Sequence, residues 1–136
     1  MAAAVTVALA LTISGCGSRD QFGPRSIDEV AGALTAEGLQ ICDSRPTDGH
    51  ANQALAGREF VVAIDCQSDD EATVVVDEFA DAEARDAAAR NFEGQVRPRA
   101  YGAVWTFGSF AVYASGPRDD EVEERVTDAL DQVGAE

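Results

Sequence analysis

Few residues in this chain of 136 have the types and spacing that chemistry requires. There is one histidine, His50, with Asp43 and Asp48 close by in sequence. A histidine beside a carboxylate is the pairing used to move a proton or to help hold a metal. Zinc, however, asks for more nitrogen or sulfur ligands than one histidine supplies, so an exposed loop histidine is the simpler expectation. Two acidic triplets, Asp69-Asp70-Glu71 and Asp119-Asp120-Glu121, offer oxygens to a hard cation but lack the spaced pattern of a calcium loop. The first reads as a solvated turn, and the second as acids complementing a helix start. Arg97 and Arg99 flank Pro98 as a small basic island suited to a phosphate, a carboxylate or an acidic partner. Together with Tyr101 and His50 they form the candidate ligand or partner surface. Trp105, Phe107, Phe110, Tyr101 and Tyr113 are either core or one wall of a binding groove. No Ser–His–Asp ordering, Gly-rich phosphate loop or Cys–His dyad occurs, so no catalytic residue, metal or cofactor is assigned.

Charge narrows the partners. Ten basic residues against 25 acidic ones give a net charge of −15. That balance opposes nucleic acid and anionic headgroups and favours solubility. Every basic residue is arginine, which reads as the coding bias of a high-GC actinobacterium or a halophile.

The uncharged run from Ala2 to Ile13 ends in Ile13-Ser14-Gly15-Cys16. About a dozen apolar residues fall short of the roughly 20 needed to span a bilayer, and fit the apolar part of an export signal. The four residues resemble the lipobox of bacterial lipoproteins: aliphatic, small, small, cysteine. That resemblance implies removal of residues 1–15, lipidation of Cys16, and anchoring to the extracytoplasmic face of the cell membrane. The signal lacks the usual leading Lys or Arg, so either translation starts upstream of Met1 or the first residues are trimmed from this sequence. Residues 16–25 then form a short tether, and 26–136 a single domain of a size one core can support.

With Cys16 assigned to lipid, Cys42 and Cys66 remain as a pair. Outside the cytoplasm such a pair is expected to form a disulfide, with two separately buried thiols as the alternative.

The elements that position these residues follow from periodicity. Ser26-Ile27-Asp28-Glu29 reads as a capping box, and Ile27, Val30, Ala31 and Leu34 form a helical stripe ended by Gly38. Residues 39–43 suit a first strand, and 44–57 a long loop that is functional or mobile. Phe60, Val62, Ile64 and Cys66 alternate as one face of a second strand, with Cys66 expected to point inward. Residues 72–79 make a β-branched third strand. Asp81 caps a helix whose Ala84, Ala87, Ala88 and Phe92 face inward, and Gly94 ends it. Gly108-Ser109 turns a hairpin carrying Trp105 and Phe107 on one strand and Phe110 and Val112 on the other. Asp119 or Asp120 caps a last helix ended by Gly134.

The order α-β-β-β-α-β-β-α predicts an α+β fold with one mostly antiparallel sheet of 4–5 strands and helices packed on a face. The valine-rich strand entering Glu78-Phe79-Ala80-Asp81 and an alanine helix, followed by a Trp-bearing hairpin, is similar to a group of small actinobacterial lipoproteins with no settled activity. The functional expectation is a non-catalytic binding or accessory module of the cell envelope, acting on an unknown envelope protein or small ligand. A small envelope hydrolase using acidic residues with His50, or an inhibitor-like structural domain, are the alternatives.

Overall fold

The computed structural model describes residues 26–96 and 100–135. Within them α1 spans Ile27–Ala36, β1 Gln40–Thr47, β2 Ala56–Ala63, β3 Ala72–Glu78, α2 Ala82–Glu93, β4 Tyr101–Phe107, β5 Phe110–Gly116 and α3 Asp120–Ala135. The fold is α+β, as the periodicity predicts. The five strands form one sheet in the order β1-β2-β3-β5-β4, every neighbouring pair antiparallel.

Alternation along the central strands sorts the helices between the two faces. Val74, Val76, Val112 and Ala114 point to one side, where Val30 and Leu34 of α1 and Val122, Val126 and Leu130 of α3 complete the larger core. Val75, Phe79, Ala111 and Tyr113 point to the other, against Ala84, Ala88 and Phe92 of α2. A strand buried on both faces needs no polar alternation, which accounts for the unbroken Val74-Val75-Val76 run.

Helix ends follow their local chemistry with two exceptions. The Ala84 N–H donates to Asp81 Oδ1 (2.8 Å) and the Val122 N–H to Asp119 Oδ1 (2.9 Å), so Asp119 is the cap of α3. Gly38 takes φ +82° after α1, and the Leu39 N–H reaches back to the Leu34 carbonyl at 3.2 Å. Ser26 has the extended backbone of a cap residue, yet its hydroxyl makes no capping bond. Gly134 lies inside α3 instead of ending it, and what calls for glycine there is packing: a Cβ would meet the Phe107 ring at 2.6 Å.

The first hairpin is longer than local composition suggests. Pairing runs from Gln40↔Ala63 to Thr47↔Gly57, leaving only residues 48–55 as loop. Residues 44–47 are polar and include Pro46, but β1 is an edge strand, where a proline need not donate to a neighbour. Register slips between Ile41 and Asp43, which makes Cys42 the extra residue of a bulge. Cys66 lies in the turn beyond β2, half-buried and not in the core, and is disulfide-bonded to Cys42 with a Cα separation of 5.4 Å. The bond sits at the Gln40↔Ala63 end of the hairpin, away from the 48–55 loop.

Trp105 shares the face of Phe107 and packs against the larger core, but it is only half-buried, and its Nε1–H donates to Asp131 Oδ1 of α3 at 3.0 Å. A fully buried aromatic would cost about 3–5 kcal/mol on truncation. With half that burial and one hydrogen bond at stake, Trp105→Ala is expected to cost about 2 kcal/mol in urea unfolding. A loss under about 0.5 kcal/mol, the range of ordinary surface substitutions, would show that this contact does not hold α3 to β4.

Candidate functional site

The organising residue of the site is Asp77, in the middle of β3. Its side chain is fully buried, a rare state for a carboxylate without compensation. The compensation is backbone: the His50 N–H donates to Oδ1 and the Ala51 N–H to Oδ2, each at 2.8 Å. Both oxygens are thus satisfied by the 48–55 loop, which folds back over the sheet. Gly57 is paired with Asp77 across the strands, and a Cβ on it would lie 2.5 Å from Asp77 Oδ1 and 2.6 Å from Thr47 Oγ1. Glycine is what leaves room for the carboxylate. The Leu55 N–H, donating to the Glu78 carbonyl at 2.8 Å, fixes the other end of the loop.

Pinned in this way, the loop faces α2 across a cleft of about 270 Å³ on the face of the smaller core. His50, Asn52 and Gln53 line the loop wall. Ala84, Ala88, Asn91 and Gln95 recur at helical spacing along α2 and its last turn to form the opposite wall, with Ala87 beside them. Tyr113 and Phe92 meet at the base, their ring centroids 5.0 Å apart, and the His50 ring lies 6.4 Å from that of Tyr113. Tyr113 is 4% exposed and its hydroxyl has no hydrogen-bond partner among the described residues. Burial, and after it the nearby Asp77 charge, push this phenol well above the usual tyrosine range, so it stays protonated.

The four sequence candidates do not share one surface. His50 is exposed at the cleft. Tyr101 is buried on the opposite face of the sheet, in the larger core, where burial raises its phenol pKa. It is a packing residue, placed there by the alternation that it shares with Ala103, Trp105 and Phe107. Arg97 and Arg99 lie outside the described residues, as do Cys16 and the segments 1–15 and 16–25. Among the described residues no hydrogen bond or ion pair joins the His50 ring to Asp43 or Asp48, and the Asp43 carboxylate instead accepts from the Ser44 N–H at 2.9 Å. Among the same residues no group of three or more His, Cys, Asp or Glu side chains gathers at one point. The 69–71 triplet is an exposed turn.

Sequence reasoning passed over Asp77, Asn91 and Gln95, and named Tyr113 only among the aromatics of a core or a groove wall. Asp77 carried a signal, being the acid at an inward position between Val75 and Phe79. The amides carried none, since Asn and Gln on an exposed helix face are ordinary.

No family model and no curated protein sequence matches the chain. Among solved structures its fold is similar to that of a GTP binding regulator from Thermotoga maritima, with a TM-score of 0.59 at 13% identity, over 84% of this chain and 93% of that one. At that identity the likeness concerns the fold alone.

Proposed function

We propose that the chain is a membrane-anchored extracytoplasmic lipoprotein whose domain binds a small ligand in the cleft between the 48–55 loop and α2, without converting it. The observation that carries the binding reading is the state of the cleft's polar groups. Among the described residues the side-chain amides of Asn52, Gln53, Asn91 and Gln95 have no hydrogen-bond partner, and the buried carboxylate of Asp77 is engaged at both oxygens by backbone N–H groups. Such a site can recognise, but it holds no pair set to pass a proton. Binding is tested by mapping amide NMR shifts against a chemically diverse fragment set. Shifts clustered at residues 50–53 and 84–95 are expected, and an unresponsive cleft would refute the reading.

Anchoring rests on Ile13-Ser14-Gly15-Cys16. Cys16→Ser is expected to release the protein from the membrane fraction, because stable attachment takes two lipid signals and the variant would accept none. A variant that stays bound after a salt wash would overturn the lipobox reading. No described helix is long and apolar enough to cross a membrane.

The hydrolase alternative draws on one observation, His50 at the mouth of the cleft. It requires a carboxylate acting with the imidazole, whereas Asp77 meets His50 through its backbone N–H.

A further inference from the structure

We propose that the cleft takes an uncharged sugar ring, an inference that rests on the binding reading above and names its ligand class. Charge comes first. About a quarter of all residues in the chain are charged, at 26%, yet among the described residues no Asp, Glu or Arg lines the cleft. A carboxylate or phosphate on the ligand would find no arginine among the described lining residues, only the His50 side chain at the mouth, and Asp77 behind the base would repel it. An ammonium group would find no anion among the described lining residues to replace its lost water, and both Asp77 oxygens are already taken.

The polar groups that do line it come as two amide pairs, Asn52 and Gln53 on the loop and Asn91 and Gln95 on the helix side. Each amide both donates and accepts. That matches hydroxyl groups, which also do both and which a sugar ring presents around its rim. Between the amides lies an apolar floor of alanine methyls and the Phe92 ring. Alanine methyls make an uneven surface, suited to the C–H face of a puckered ring more than to a flat heterocycle stacked between aromatic planes. The protonated Tyr113 hydroxyl at the base, buried and without a partner, is a further donor that a small ring movement would bring to the ligand.

The test uses the full chain carrying Cys16→Ser, titrated with methyl β-glucoside and N-acetylglucosamine, and in parallel with glucuronate, glucosamine and uridine. The neutral sugars are expected to shift the amides of residues 50–53, 91 and 95 saturably, and the two charged sugars to bind at least about tenfold more weakly, as an uncompensated ion should. Asn91→Ala and Gln95→Ala, both exposed and so harmless to folding, are expected to weaken neutral-sugar binding about three- to tenfold each, the worth of one hydrogen bond. If the cleft amides respond to the charged sugars or to uridine and not to the neutral sugars, the sugar assignment fails while the binding reading stands. If no probe or fragment moves them, both fail. Equal affinity in the Asn91→Ala and Gln95→Ala variants would also overturn the assignment.

Discussion

Asp77→Ala is expected to destabilise the domain by about 2–4 kcal/mol and to free the 48–55 loop. The variant strips two backbone N–H groups, those of His50 and Ala51, of the acceptors that now lie at 2.8 Å. Bonds to an ionised acceptor contribute about 1.5–3 kcal/mol each, and a part of that is offset because the buried charge is removed as well. Asp77→Asn keeps one acceptor oxygen but turns an N–H₂ toward the other backbone N–H, so it should recover less than half of the loss. Guanidinium unfolding measures the stability, and hydrogen exchange of the 48–55 amides measures the loop. The exchange should rise far more there than at β3 and β5, because the loop is the part that Asp77 holds. A loss below about 1 kcal/mol, or protection unchanged at residues 50 and 51, would mean that the loop is positioned by something else. Ligand binding should fail in the same variant, since one wall of the cleft would no longer be fixed.

How much of this could be read beforehand depends on the range of the interaction involved. The α+β class and the element order were legible, because the alternation in β2, the β-branched run of β3 and the helical stripes of α1 and α3 are local patterns. Strand ends were not. Residues 44–47 look like loop by composition, and become strand only because β2 offers a complementary edge. Which face a side chain occupies was half legible. The parity of Tyr101 with Trp105 and Phe107 was visible, but which face would carry α2, and with it the cleft, depends on where a crossing helix lands. That separates Tyr101, a packing residue, from Tyr113, at the base of the cleft. Asp77 is the instructive case. An acid at an inward strand position announces a buried partner, while the partner itself, two N–H groups 26 and 27 residues upstream, has no sequence signature.

Reduction of the Cys42–Cys66 bond is expected to lower stability by about 3.5 kcal/mol, the chain-entropy value for closing a loop of roughly 25 residues. The place where the loss appears is as informative as its size. The bond lies at the open end of the β1–β2 hairpin, where the bulge at Cys42 interrupts the pairing and the Cys66 N–H holds the Gln40 side-chain oxygen at 3.3 Å. β1 is an edge strand with a single neighbour, so without the bond its first residues should fray from β2. Hydrogen exchange should therefore rise at residues 40–43 and 64–67 in reductant, and not at 48–55, which Asp77 holds independently. The double variant Cys42→Ser/Cys66→Ser should match the reduced protein in melting temperature and be indifferent to reductant. A drop of less than about 1 kcal/mol would mean that the unfolded chain already keeps the two ends of this hairpin close, leaving the bond little entropy to remove. Protection lost first at 48–55 would instead show that the cleft depends on the disulfide, and that its ligand would be released wherever the bond is reduced.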